Sequence, residues 1–283
     1  MPALNTISVD KLVRLIGTPT APIIIDVRTH EDFAADARLI PGAVHRPWAD
    51  IVSWAADYRG KPVVVICSNG NQLSQGAAAW LRQEGADAEA LDGGLKAWSD
   101  GGHPLVPESA LPKRDAKGRT VWVTRARPKV DRIACPWLIR RFVDPNAVFL
   151  FVAPGDVVGV AERYDAAPFD IEADGITWSH EGERCTFDVM LDGLGLSSVK
   201  PLAHLAMIVR GADTGRPDIS PEAAGLVAMS LGLSRMYADD LEQLDAGMLL
   251  YDALYRWCRD ATGETHDWVS HQPKGARAKP VAA

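Results

Sequence analysis

Val63-Val64-Val65-Ile66-Cys67-Ser68-Asn69-Gly70-Asn71-Gln72-Leu73-Ser74 passes from an apolar, β-branched run through one thiol into a small polar loop. Four β-branched residues without polar alternation have the pattern of a strand buried on both faces of a parallel sheet, and Ile23-Ile24-Ile25-Asp26-Val27 repeats it. Ser74 is a helix-capping residue type, Ala77 to Gln83 are good helix formers, and Gly85 ends the run where a left-handed residue is wanted. Strand, loop and helix follow in order, so the first half of the chain reads as α/β. A thiolate at the mouth of a helix is stabilised by the helix dipole and by free N–H groups, which makes Cys67 a candidate nucleophile. The alternative is a buried structural cysteine, and the polar loop weighs against it.

The whole chain has 283 residues, 30 Lys and Arg against 37 Asp and Glu, a net charge of −7, and 47% hydrophobic residues. That length suits two domains, and the composition is globular. No apolar run approaches the roughly 18 residues that cross a bilayer, so no membrane association is expected. Met1 to Asn5 carry neither a basic cluster nor an apolar core, so the expected location is the cytoplasm. The four cysteines are widely separated and form no Cys-x-x-Cys pair, which speaks against a disulfide scaffold.

Turn and breaker residues from Gly101 to Gly118, without apolar periodicity, mark a joint between domains. The expected division is 1–108, a linker over 109–119, a second domain over 120–265, and a flexible tail over 266–283. In the second domain Thr120 to Thr124 and Ala147 to Val152 are strand-like, flanking a helix expected around Pro136 to Phe142. Pro201 to Ile208, Pro221 to Leu231 and Asp239 to Arg259 carry apolar residues at helical spacing. This domain reads as α+β and largely helical.

Ten basic side chains crowd residues 113–141, and Arg125, Arg127, Lys129 and Arg132 lie close enough to converge on a doubly charged oxyanion. A solvated basic surface is the alternative. The acidic net charge and the lack of a DNA-binding motif speak against a nucleic-acid partner. His180, Cys185, Asp188 and His204 are the residues with metal-like density, a candidate set for a divalent transition ion, although their spacing fits no standard motif. Cys135, before Pro136, is either a second reactive thiol at a helix start or a packed core cysteine.

Three segments resemble the single-domain rhodanese pattern in the correct order. They are Asp26-Val27-Arg28 with Ile40-Pro41-Gly42-Ala43, Cys67 to Asn71, and Gly93-Gly94-Leu95-Lys96-Ala97-Trp98. The resemblance spans nearly all of residues 5–105. It implies a parallel sheet with helices on both faces, in which Cys67 takes a sulfane sulfur from a small-molecule donor as a persulfide and passes it to a thiol or other nucleophile. Backbone N–H groups of Ser68, Asn69, Gly70, Asn71, Gln72 and Leu73 would cradle the anion, with no cofactor required. Where rhodanese loops usually carry arginine, five residues after the cysteine, this chain has Gln72. If Ser74 anchors the alignment instead, the loop is one residue longer and Leu73 takes the arginine's place, as in relatives acting on larger oxyanions. Weak thiosulfate activity is the expectation.

Residues 120–145, with Gly182 to Asp188, Ile208 to Thr214 and Leu231 to Ser234, resemble the C-terminal domain of chromate-resistance regulatory proteins over about residues 120–260. The resemblance implies a link to chromate, another oxyanion or a metal. The regulators' DNA-binding segment is replaced here by the rhodanese-like half, so transcriptional control does not carry over. The leading expectation is a sulfurtransferase coupled to an oxyanion-binding or metal-binding domain. Its rival is a chromate, oxyanion or metal sensor with an idle rhodanese domain.

Overall fold

The computed structural model describes residues 5–264, so the tail expected over 266–283 lies outside the described residues. The first half runs β1 Thr6–Ile7, α1 Val9–Leu15, β2 Ile23–Asp26, α2 His30–Ala35, β3 Arg38–Leu39, β4 Ala43–His45, α3 Ile51–Trp54, β5 Pro62–Ile66, α4 Gln72–Gln83, β6 Asp87–Leu91, α5 Gly94–Asp100 and β7 Val106–Pro107. Five strands form one sheet in the order β1-β6-β5-β2-β4, with every pairing parallel.

The β-branched runs explain why helices cover both faces. Successive side chains alternate across a strand, and here both sets are apolar. Ile25, Val63, Val65 and Cys67 pack with Trp54, Tyr58, Ala77, Ala78 and Leu81 from α3, the turn after it and α4. Ile24, Val64 and Ile66 face the other way, onto Leu12, Phe33, Leu95 and Trp98 from α1, α2 and α5. Below this sheet the buried pair Asp26 and Arg28 closes at 2.7 Å, and Arg28 also donates to the carbonyls of Asp36 and Arg38. A buried guanidinium is tolerated only when its donors find acceptors in this way.

The second half runs β8 Val121–Arg125, α6 Asp131–Phe142, β9 Val148–Val152, α7 Val157–Tyr164, β10 Ala167–Pro168, α8 Thr186–Gly193, α9 Lys200–Asp213, α10 Ala223–Met236 and α11 Asp240–Asp260. Its three strands are parallel in the order β10-β8-β9, so α6 and α7 are crossover helices. Helices then dominate: α9 packs on α10 and α11, and α11 lies on α6. Trp137 of α6 is fully buried against Tyr251 and Tyr255 of α11, and its indole N–H donates to Asp252.

Two local expectations need correction. The first concerns α6, which starts at Asp131 and not at Pro136; Pro136 lies inside the helix. Burial of Ile133, Ala134 and Cys135 outweighs the hydrogen bond that proline forfeits. Cys135 is therefore a packed core thiol one turn inside the helix, and burial pushes its pKa well up. The second correction is that α4 begins at Gln72 with Asn71 at its cap, so Ser74 lies within the first turn, facing inward.

The two halves share a core. The cluster that holds Leu12, Trp98 and Leu105 continues without a break through Trp122, Ile133, Trp137 and Phe142. Gly17, at φ +76°, lets the ring of Phe142 approach so closely that an added Cβ would sit 2.3 Å from it. The amide of Gly42 donates to the Phe142 carbonyl at 2.7 Å. The stretch between the halves is tied down as well: β7 pairs antiparallel with β3, and Asp115 accepts from the backbone and guanidinium of Arg119 across a tight turn.

Candidate functional site

Cys67 follows β5 directly, and its side chain is 5% exposed. Its Sγ lies 3.1 Å from the hydroxyl of Ser74, which in turn donates to the Asn71 carbonyl at 3.2 Å. The loop that wraps the sulfur depends on glycine. Gly70 is left-handed at φ +72°, and a Cβ there would lie 2.6 Å from the Leu91 carbonyl oxygen. Gly94, also left-handed, would place a Cβ 2.3 Å from the Cys67 carbonyl oxygen. Freed of side chains, the two segments lock: Leu95 N–H donates to Cys67 and Lys96 N–H to Ser68. The Gly93-Gly94 pair is thus the clasp of the Cys67 loop.

Among the described residues, the amides of Ser68, Asn69, Gly70 and Asn71 donate to no protein backbone acceptor. Together with the first turn of α4 they form a row of donors of the kind that binds anions. A cavity of about 590 Å³ opens here, lined by Asp32, Cys67, Ser68, Asn69, Asn71, Gln72 and Leu73. Six of the seven residues picked from the sequence line it; Gly70 shapes the loop from behind. No lysine or arginine is among the lining residues. Asp32 was missed by sequence reasoning. It stands in the first turn of α2, where Thr29 caps its amide, and it accepts a hydrogen bond of 2.8 Å from Ser68 Oγ. Nothing local in the sequence connects Asp32 to a loop beginning 36 residues later.

The second domain gathers its own pocket, of about 400 Å³, whose wall includes Arg125, Lys129, Arg132, Asp170, His180, Asp213 and Ser230. Of the four cations expected to converge, three reach it. Arg127 does not: it turns away at φ +58°, donating to the carbonyls of Tyr237 and Ala238 and pairing with Asp240. Arg125 and Arg132 both reach Asp170 Oδ2, at 3.0 and 3.1 Å. Arg125 Nε is buried without an acceptor. A free four-cation cradle is therefore not formed.

The expected metal set also needs correction. His180, Cys185, Asp188 and His204 do not converge. Asp188 caps α8, accepting from the Cys185 amide and thiol, and is held by a bidentate guanidinium from Arg210 at 2.7 and 2.9 Å. His204 lies against Trp257, the two rings tilted by 51° with centroids 5.3 Å apart. Burial and the neighbouring carboxylates push the Cys185 thiol far up, so it is inert at neutral pH.

His180 instead meets three carboxylates. Its Nε2 lies 3.2 Å from Asp213, 3.4 Å from Asp170 and 3.6 Å from Asp131. Hydrogen bonding to Asp170, against the cost of burial and with help from Asp131 and Asp213, raises the imidazole to about 9. Burial, then Asp213 and Asp170, raises the Asp131 carboxyl well above its ordinary range. Asp170 goes the other way: burial opposes it, but His180, Arg125 and Arg132 hold it low. Val130, left-handed at φ +33°, precedes Asp131 and is pinned by Ser230 Oγ on its amide and by the Tyr251 hydroxyl on its carbonyl. A β-branched residue in that conformation is strained, and the strain sets the first residue of α6 against His180.

Two protein families match this chain, each over its own part. Residues 8–100 match the rhodanese-like domain family, and residues 122–258 match the ChrB C-terminal domain family. Protein ChrB of Cupriavidus metallidurans is 38% identical over 157 residues, covering 54% of this chain and 46% of that protein. The chain thus spans under half the length of that relative. Thiosulfate sulfurtransferase GlpE of Pseudomonas savastanoi is 37% identical over 78 residues, covering 27% of this chain and 71% of GlpE. The crystal structure of a rhodanese-related protein from Thermoplasma volcanium aligns with 37% of this chain and 99% of its own at 27% identity, with a TM-score of 0.33. The chain belongs to the rhodanese-like family through residues 8–100, and a ChrB C-terminal domain follows at residues 122–258.

Proposed function

We propose that the protein is a sulfurtransferase working through a persulfide on Cys67. The observation that carries this reading is a thiol at the floor of a pocket walled by its own loop, with amides of residues 68–71 left without backbone acceptors. In the first half-reaction the Cys67 thiolate attacks the outer, sulfane sulfur of a donor. The S–S bond of the donor breaks, its electron pair leaves with the departing group, which is sulfite when thiosulfate is the donor, and Cys67 is left as a persulfide anion. In the second half-reaction a nucleophile such as cyanide or a thiol takes the terminal sulfur, and the thiolate returns.

The same pocket sets the preference. A donor with two charges at its reacting end would meet Asp32 and no lysine or arginine, so thiosulfate is used weakly and donors with less charge beside the reacting sulfur are favoured. The test is thiocyanate production from cyanide with thiosulfate and with glutathione persulfide as alternative donors. Transfer with at least one donor, faster with the persulfide and lost in Cys67→Ser, is expected. Equal rates in Cys67→Ser would overturn the assignment.

The ChrB-type domain links this chemistry to chromate or a related oxyanion in our reading. Two groups at its pocket are available for such a ligand: Lys129, which is exposed at the rim, and Arg125 Nε, which is buried without an acceptor. Calorimetry with chromate and sulfate tests it, with binding lost in Lys129→Ala. A reducing cytoplasm suits the four unpaired thiols, and no helix among the described residues is long and apolar enough to cross a membrane.

A further inference from the structure

The carboxylates around His180 come from three separate places: Asp131 opens α6, Asp170 follows β10, and Asp213 closes α9. His180 itself lies in the segment before α8. Their convergence is a product of the tertiary fold and not of one acidic run. We propose that Asp131, Asp170 and His180 hold a divalent first-row transition ion, through one carboxylate oxygen each and the imidazole Nε2, with Asp213 beside the imidazole.

Spacing is the first argument. Ligand atoms about 2.0–2.2 Å from a common ion, at angles near those of a tetrahedron or octahedron, stand roughly 3.0–3.5 Å from one another. The separations from His180 Nε2 are 3.2, 3.4 and 3.6 Å, and the ligand atoms of Asp131, Asp170 and His180 all lie within 4.8 Å of one another.

Satisfaction of the buried groups is the second, independent argument. One Nε2–H can serve one acceptor, yet three carboxylates face that atom. Asp131 is 1% exposed, and among the described residues no lysine or arginine lies within ion-pair reach of it. Its protein donors besides His180 are weak ones, the Cys185 thiol and the Phe187 amide, the latter at the long distances of 3.3 and 3.4 Å to its two oxygens. A carboxylate buried this deeply beside Asp170 and Asp213 is costly with one imidazole shared among the three, and a bound divalent cation offsets that cost more fully.

The surroundings fit an ion as well. Arg125 and Arg132 take Oδ2 of Asp170 and leave Oδ1 turned to His180, which is how outer partners orient a ligating carboxylate. Two carboxylate oxygens and one imidazole nitrogen without a thiolate suit Mn²⁺, Fe²⁺ or Zn²⁺ and disfavour Cu⁺. The cavity leaves room on the ion for water or an oxyanion. This inference does not rest on the chemistry of Cys67.

The experiment uses the full chain, stripped with a chelator and titrated with Mn²⁺, Zn²⁺ and, without oxygen, Fe²⁺, followed by elemental analysis of the desalted protein. One ion per chain is expected with at least one of the three. His180→Gln should weaken binding by about 100-fold or more, and Asp213→Asn, beside the imidazole, by about 10–100-fold, as partners outside the ligand shell do. His204→Ala should bind as the parent does. His180 is 40% exposed, so the glutamine variant should fold, and thermal unfolding of the stripped proteins verifies it. Visible absorption of a Co²⁺ complex, lost in His180→Gln, gives a second readout. No stoichiometric ion with any of the three metals, or binding indifferent to both variants, would overturn the proposal.

Discussion

The two pockets of this chain are built on opposite plans. Around Cys67, the sulfur and nearly all of its wall come from one uninterrupted stretch, Cys67 to Leu73, clasped from behind by Gly93 and Gly94. Around His180, each ligand candidate arrives from a different element, and charge takes the place of loop geometry. A contiguous site can be read before the fold is known, because strand, loop and helix already imply where its atoms lie. A convergent site waits for the fold. The chemistry differs accordingly: the first pocket offers amides to an incoming anion, while the second offers carboxylates to a cation.

Replacement of the sulfur separates the two plans most sharply. Cys67→Ser should lower sulfur transfer by at least about 1000-fold, because the hydroxyl is a far poorer nucleophile at neutral pH, while leaving ion binding at His180 intact. Paired transfer and metal-binding measurements on one preparation would show this, and loss of both together would break the comparison.

The clasp comes next in size. Gly94→Ala forces a Cβ to within 2.3 Å of the Cys67 carbonyl in a left-handed residue, and should destabilise the protein by about 2–4 kcal/mol in urea unfolding. Transfer should fall with it, because the loop must open to relieve the clash. The second pocket should be spared.

Restoring charge tests the missing cation. Gln72→Arg, at the first residue of α4, should raise kcat/KM for thiosulfate by about 10-fold, the lower end of what one charge-assisted hydrogen bond of roughly 1.5–3 kcal/mol supplies. Asp32→Asn removes the opposing carboxylate and should give a smaller gain, about threefold, that shrinks as salt is added. Each variant should raise transfer from glutathione persulfide, which carries less charge at its reacting end, by less than it raises transfer from thiosulfate. Equal gains with both donors would mean that charge is not what limits thiosulfate.

What the sequence disclosed follows the same divide. Val63 to Ile66 and Ile23 to Val27 announced central parallel strands because burial on both faces leaves no polar alternation. Cys67 and its loop were legible for the same local reason. Ser74 was misplaced by one turn: a serine before an alanine-rich run looks like a cap, but its hydroxyl is spent on the thiol and on Asn71. Pro136 suggested a helix start because proline lacks an amide, and core packing overrode that preference. Of the groups that surround the imidazole in the second pocket, His180 alone was expected as a metal ligand. Its expected companions, Cys185 and Asp188, are close in sequence and bind each other and Arg210, whereas Asp131, Asp170 and Asp213 are brought in by α6, β10 and α9. Arg125, Lys129 and Arg132 stand at the pocket wall, but Asp170, the partner of Arg125 and Arg132 and 45 residues beyond the first, could not be foreseen from spacing.

The central claim is that Cys67 carries sulfur. Peptide mass spectrometry of the protein after brief exposure to glutathione persulfide, with an alkylating cap, reads it directly. One added sulfur atom on the Cys67 peptide, removed by cyanide, with Cys135, Cys185 and Cys258 unchanged in their buried sites, is the predicted result. A Cys67 peptide that gains no sulfur from any sulfane donor would contradict it.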